Sequence, residues 1–79
     1  MSDDPLRGLR EYAANAILED ERLRGDLTDD QFAPIQADAL REVDRQVTAA
    51  RGLAEDAARR LVDQAIARVK ARVQRRVQP

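Results

Sequence analysis

Apolar residues recur every three or four positions along almost the whole chain, which is the period of one face of an α-helix. Breaks in this pattern are few, since the 79 residues include only three glycines and three prolines. Charged residues make up 37% of the chain and aromatic residues 3%, which is typical of long helices and coiled coils. The sequence therefore predicts an all-α fold: a helical hairpin with a long C-terminal helix, packing as an oligomeric helical bundle or coiled coil.

The first helix is predicted over about residues 5–24. Asp4 suits the N-cap and Pro5 the first helical position, because proline has no N–H to lose there. One apolar face follows, formed by Leu6, Leu9, Ala13, Ala16, Ile17 and Leu23. Gly25 then stands where a left-handed glycine commonly ends a helix, so a turn is expected at 25–28.

The start of the second helix carries a capping box. Thr28 would accept a hydrogen bond from the backbone of Gln31, whose side chain would reach back to the backbone N–H of Thr28. Leu27 and Phe32 stand at the positions of a hydrophobic staple. Pro34 lies inside this helix and removes one backbone donor, which predicts a kink or a short turn ahead of the main helix.

The second helix is predicted to run over about residues 29–77. Its apolar stripe consists of Val43, Val47, Ala50, Ala54, Ala58, Leu61, Ala65 and Val69. The mean step is about 3.7 residues, which matches an eleven-residue repeat and a nearly straight seam. Gly52 permits a break and a third helix. Continuity is favoured because residues 53–56 offer no N-cap and a lone helical glycine costs only about 1 kcal/mol.

A continuous helix of this length leaves part of its stripe uncovered. It would be about 66 Å long, whereas the first helix, at about 30 Å, could cover half of it. A chain this short usually needs a disulfide, a metal or a partner, and cysteine and histidine are both absent. The sequence therefore predicts a homo-oligomer or a second helical protein. The expected interface is Val43, Val47, Ala54, Leu61, Val62, Ala65, Ile66, Val69 and Val73.

Charge is divided unevenly along the chain. Residues 1–58 hold seven arginines and fourteen acids, whereas residues 59–79 hold six arginines, one lysine and one acid. The second segment includes a basic tail: Arg59, Arg68, Lys70, Arg72 and Arg75. These cations could flank a helix–helix seam, bind nucleic-acid phosphates, or rest on an anionic membrane surface. The first interpretation is favoured because the rest of the chain is acidic and no aromatic side chains lie among the cations.

The segment around the predicted turn resembles the core of the SHOCT family of short helical modules. The matching residues are Leu18, Leu23, Gly25, Leu27, Thr28, Phe32 and Leu40. The resemblance covers roughly residues 18–40. It implies a role in oligomerisation or binding rather than in catalysis.

The residue types needed for most catalysis are missing. The chain has no cysteine and no histidine, and its one serine is Ser2. Thr28 and Thr48 have no evident base beside them, and the acidic residues are interpreted as a solvated face rather than as metal ligands. We therefore expect a non-catalytic oligomerisation or adaptor protein without cofactors. The alternative is a nucleic-acid-associated protein that uses the basic tail. With neither a signal peptide nor a stretch of about 20 apolar residues, a cytoplasmic location is expected.

Overall fold

The chain folds as three α-helices and one short 3₁₀ turn. The computed structural model describes residues 5–77. Helix α1 spans Pro5–Leu18, the 3₁₀ turn spans Glu21–Leu23, α2 spans Asp29–Thr48 and α3 spans Glu55–Val77. The described residues contain no strand, which confirms the all-α class. The predicted N-cap Asp4 lies outside the described residues.

Helix α1 is shorter than predicted. Its last backbone hydrogen bond runs from the N–H of Glu19 to the carbonyl of Asn15, at 2.8 Å. The Asp20 side chain then accepts the N–H of Arg22, and such local side-chain bonds compete with helix continuation. The chain turns in 3₁₀ geometry, which buries Leu23 against the core. Leu23, whose spacing extended the predicted helix to residue 24, is therefore buried by a 3₁₀ turn and not by a continued α-helix.

Gly25 and the capping box behave as the sequence predicts. Gly25 adopts a φ of +59°, and a Cβ on it would come within 2.8 Å of Cγ1 of Val77, so a side chain is excluded there. Thr28 Oγ1 accepts the N–H of Gln31 at 3.2 Å, and Gln31 Oε1 accepts the N–H of Thr28 at 3.0 Å. Helix α2 runs through Pro34 as one helix, so the expected separate first turn does not occur.

The predicted continuous helix over residues 29–77 is wrong. Helix α2 ends at Thr48, and α3 begins only at Glu55. Gly52 lies between them with a φ of +87°, a conformation that glycine adopts without strain. The N–H of Arg51 donates to the carbonyl of Thr48 at 3.1 Å, and that of Leu53 to Ala50 at 3.1 Å. This connection lets α3 fold back along α2.

Burial explains why the break is preferred. Val62 and Val69 become 0% and 2% exposed in the folded chain. Burying each valine contributes about 1.5–3 kcal/mol, and α3 has several such residues. This gain in free energy is larger than the contribution of the few backbone hydrogen bonds that a continuous helix would keep, because each such bond contributes only about 1 kcal/mol net.

The predicted interface lies mostly inside this one chain. Seven of its nine residues are buried in the core between the three helices: Val43, Val47, Val62, Ala65, Ile66, Val69 and Val73. Leu61 is half-buried and Ala54 is exposed. Helices α1 and α2 thus supply the apolar surface that the sequence analysis assigned to a partner chain. The apolar stripe is therefore buried without a second chain, and its burial does not require a partner.

Candidate functional site

A groove of about 600 Å³ runs between α2 and α3, and no residue of α1 lines it. Arg76 near the end of α3 reaches Asp38 in the middle of α2, and the six-residue connection between the helices reverses the chain, so the two helices are antiparallel. The apolar lining residues are Ile35, Ala39, Val69 and Val73. The charged lining residues are Asp38, Arg41, Glu42, Arg45, Arg72 and Arg76. Of the apolar lining, Ile35 is half-buried and the other three residues are core residues at most 5% exposed, so the charged rims form most of the accessible surface of the groove.

Asp38 joins the two rims. Its Oδ2 lies 3.1 Å from Nη1 of Arg76, and its Oδ1 accepts a hydrogen bond from Arg41. The hydrogen bonds from Arg76 and then Arg41 lower the pKa of the Asp38 carboxyl. Two of the groove arginines are therefore held in place by one carboxylate of α2.

Glu42 holds a third arginine. Its Oε2 lies 3.4 Å from Nη1 of Arg45, and its Oε1 accepts a hydrogen bond from Gln46 at 3.1 Å. Because Glu42 and Arg45 are three residues apart on one helix, the pair adds little to stability. Its effect is to orient the Arg45 side chain on the α2 rim.

Arginines outnumber acids on this side of the molecule. Four arginines line the groove, Arg41, Arg45, Arg72 and Arg76, and two more, Arg68 and Arg75, lie one helical turn from Arg72 on α3. We call this set, together with Asp38 and Glu42, the arginine face. Within residues 5–77, Arg72 and Arg75 form no ion pair or side-chain hydrogen bond, and Arg68 reaches only Gln64, at 3.5 Å. The arginine face thus presents cations that the fold does not use.

The opposite edge of α3 is closed by α1 and the 3₁₀ turn. The guanidinium of Arg59 stacks over the ring of Tyr12, 4.0 Å from its centroid. The Tyr12 hydroxyl donates to Asp63 at 2.7 Å. Nζ of Lys70 lies 3.0 Å from Oδ2 of Asp20. Two members of the predicted basic tail therefore have partners within the chain.

The acid at this closed edge is well shielded. The Asp20 side chain is 12% exposed, and the hydrogen bond from Lys70 is the main reason that its pKa is lowered. The backbone N–H of Arg22 adds to the same effect. Asp20 thus ties the 3₁₀ turn to α3, whereas no element among residues 5–77 covers the arginine face.

The structure divides the predicted basic tail in two. Arg68, Arg72 and Arg75 lie together on the arginine face, whereas Arg59 and Lys70 lie at the closed edge. Sequence reasoning missed three contributors to the face: Arg41, Arg45 and Arg76. The first two could have been found from their i, i+4 spacing on α2, once α3 was known to fold back beside it.

Other kinds of site find no support in the described part of the chain. Between residues 5 and 77, no three acidic side chains are grouped so that they could hold a metal ion. Over the same residues, no helix combines the length and hydrophobicity needed to cross a bilayer. Thr28 is occupied as a helix cap. The arginine face is the feature whose chemistry the fold leaves unexplained.

Comparison with known proteins gave no relative: no family model, no curated protein and no solved structure matches this chain. The resemblance of residues 18–40 to the SHOCT family therefore stays a prediction.

Proposed function

We propose that this protein is a non-catalytic adaptor that binds an acidic partner through the arginine face. The observation that carries the proposal is the contrast on α3 between cations that pair within the chain and cations that do not. Arg59 and Lys70 are paired within the chain, whereas Arg72 and Arg75 are exposed without a partner in the described region. Neither of the unpaired arginines supports the fold, and together with the groove they offer a surface for an anionic ligand.

Self-association through this face is disfavoured by its charge. In a two-fold symmetric dimer the same patch meets itself, so six arginines and two acids would face an identical set. Like charges placed opposite each other across an interface cost several kcal/mol. The proposal therefore favours the adaptor role over homo-oligomerisation through α2 and α3.

A nucleic-acid partner, the alternative function, is less well supported. Tyr12 stacks beneath Arg59 and Phe32 is 8% exposed in the core, so neither aromatic residue is placed to stack on bases. Asp38 and Glu42 also lie within the arginine face, where they would repel phosphates. An acidic protein partner avoids both difficulties.

The test compares two pairs of exposed arginines. Labelled poly-L-glutamate of about 20 residues serves as the anionic probe, because its carboxylates can form charge-assisted hydrogen bonds with guanidinium groups. Binding is measured by fluorescence anisotropy at low salt, where exposed charges are least screened. The test variant is Arg72→Ala/Arg75→Ala. The control is Arg51→Ala/Arg60→Ala, which removes the same charge at exposed positions away from the arginine face.

We expect the test variant to bind poly-L-glutamate about tenfold more weakly than the wild type, a change of about 1.4 kcal/mol. We expect the control to bind within about twofold of the wild type, since long-range charge effects alone are small when screened. Equal losses in the two variants, or no binding by the wild type, would contradict the proposed function.

A further inference from the structure

We infer that the partner segment is an acidic amphipathic helix, which lies along α2 and α3 as a fourth helix of the bundle. This inference rests on the proposed function and names its ligand. It depends on three properties of the groove: its position between two antiparallel helices, the spacing of its cations, and the two acids among them.

The position of the groove suits a helix. Helix α1 packs on one side of the α2–α3 pair, through contacts such as Arg10 to Asp44 at 3.2 Å and Tyr12 to Asp63 at 2.7 Å. The other side stays open, and Ile35 is only half-buried there. A helix placed over this side would complete a four-helix arrangement, in which neighbouring helices pack about 8–10 Å apart. Its apolar side chains would reach Ile35, whereas Val69 and Val73 beneath the groove are 2% and 3% exposed and belong to the core.

The cations form two rows with the periodicity of a helix. Arg41 and Arg45 are four residues apart on α2, and Arg68, Arg72 and Arg76 are four residues apart on α3. Four residues advance about 6 Å along a helix axis. Glutamates spaced by four on each flank of a partner helix would advance by the same distance, so they can meet both rows at once. Helix-in-groove recognition combines apolar anchors with flanking charges in this way.

The two acids favour a polypeptide ligand over a phosphate backbone. Asp38 and Glu42 line the groove itself, between the two rows of arginines. A partner helix can place a lysine, an arginine or an apolar residue opposite them, whereas a nucleic acid carries a negative charge at every phosphate. The groove carries both arginines and acids. It therefore favours a polypeptide ligand that has both acidic and basic or apolar side chains, with more acids than bases.

The experiment separates helical shape from charge. The first probe is a labelled peptide of about 21 residues, three heptads, with leucine along one face and glutamate on both flanks. The second has the same composition in scrambled order, so that its charge is unchanged but its leucines form no stripe. Poly-L-glutamate and a duplex DNA of similar length complete the set. Each is titrated with the full chain, and circular dichroism follows the helix content of the mixture.

We expect the amphipathic peptide to bind at least about tenfold more tightly than the scrambled peptide, since apolar contacts add to the shared charge attraction. We expect helix content to rise above the sum of the separate components. The variant Ile35→Gln should remove most of this preference, and it removes none of the charges proposed to bind poly-L-glutamate. Its thermal melt should stay cooperative, with a midpoint somewhat below that of the wild type because Ile35 packs partly against the core, and this shows that the variant is folded.

Each outcome bears on one proposal or the other. Equal binding of the two peptides, or tighter binding of DNA than of the amphipathic peptide, would overturn the helix inference. If poly-L-glutamate still binds and still depends on Arg72 and Arg75, the proposed function stands while the helix inference fails. If no anionic probe binds, the proposed function fails first and the inference fails with it.

Discussion

The two edges of α3 carry the same kinds of residue but differ in which elements pack against them. At one edge, Arg59 stacks over Tyr12 of α1 and Lys70 pairs with Asp20 beside the 3₁₀ turn. At the other, Arg72 and Arg75 have no partner among the described residues. The composition of the tail does not distinguish these edges. The difference comes from which element packs beside each edge. The tertiary fold therefore decides whether a basic residue pairs within the chain or remains available to bind a ligand.

The comparison also shows why a basic tail is a poor guide to function when it is considered as a whole. Lys70 and Arg72 are two positions apart on one helix, which places them about 160° apart around its axis. Their side chains therefore face different surroundings. Only the edge facing the groove contributes to the proposed binding surface.

The largest effect is expected from the core that separates the two edges. Val69 is 2% exposed and packs in the core, so Val69→Glu buries a carboxylate among apolar side chains. We expect the free energy of unfolding to fall by about 4 kcal/mol or more. The total for a domain of this size is about 4–12 kcal/mol. Urea unfolding followed by circular dichroism measures this loss. Gln74→Glu, on the exposed side of α3, is the control and should change little. Retention of wild-type stability by Val69→Glu would show that α3 does not pack as described.

The next largest change in stability is expected at Gly52, in the connection where the chain reverses between α2 and α3. Gly52 has a φ of +87°, so Gly52→Ala forces an L-residue into the left-handed region and should destabilise the protein by about 1–2 kcal/mol. Gly8 lies within α1, and a Cβ there meets nothing within 4 Å. Gly8→Ala should therefore stabilise by up to about 1 kcal/mol. Thermal melts of the two variants should move in opposite directions. A higher melting temperature for Gly52→Ala would instead support the continuous helix.

A smaller effect compares the edges directly. The Lys70 side chain pairs with an Asp20 carboxylate that is only 12% exposed, so Lys70→Ala should cost about 0.5–1 kcal/mol. Arg72→Ala removes no hydrogen bond or ion pair among the described residues and should change stability by less than about 0.5 kcal/mol. Chemical denaturation of both variants gives the difference. Equal losses would mean that Arg72 supports the fold, and its role in the arginine face would need revision.

The smallest effect is a pH dependence. The pKa of Asp20 is lowered in the folded state, chiefly by the hydrogen bond from Lys70. Its stabilising contribution is therefore present above the unfolded pKa of about 3.9, and is lost as the pH falls through the lower folded value. Denaturation measured between about pH 5 and pH 2 should show a weaker acid dependence in Asp20→Asn than in the wild type.

Asp38→Asn supplies the matched comparison at the open edge. The pKa of Asp38 is lowered by Arg76 and Arg41, yet its side chain is 47% exposed, so solvent weakens the effect of these pairs on stability. We expect Asp38→Asn to alter the acid dependence less than Asp20→Asn does. The reverse order would indicate that the groove arginines are more tightly held than their exposure suggests.

Local signals predicted local structure well. The capping box at Thr28 and Gln31 forms both of its hydrogen bonds, and Gly25 adopts the expected left-handed conformation, although it follows the 3₁₀ turn and not the end of α1. The buried stripes of α2 and α3 also match the apolar spacing in the sequence. Such features depend on residues within one or two turns of each other. Their energies are therefore largely independent of what the rest of the chain does.

The arginine face could be predicted only in part. Arg68, Arg72 and Arg75 were recognised as members of the basic tail, but Arg41 and Arg45 were not connected with them. Residues on α2 and α3 become neighbours only when the chain reverses between them. A sequence interpreted as one long helix places these two groups far apart.

The sequence by itself determined the helical class, the helix cap at Thr28 and the periodic faces that must be buried, because helix propensity and capping act over a few residues. The tertiary structure decided what buries those faces. At Gly52 the local cost of a helical glycine favoured continuity by a small margin. The break prevails because folding back removes several valines from water at once, a gain that arises only between residues distant in sequence. The same reversal pairs Lys70 with Asp20 and leaves Arg72 open on the other side of the helix.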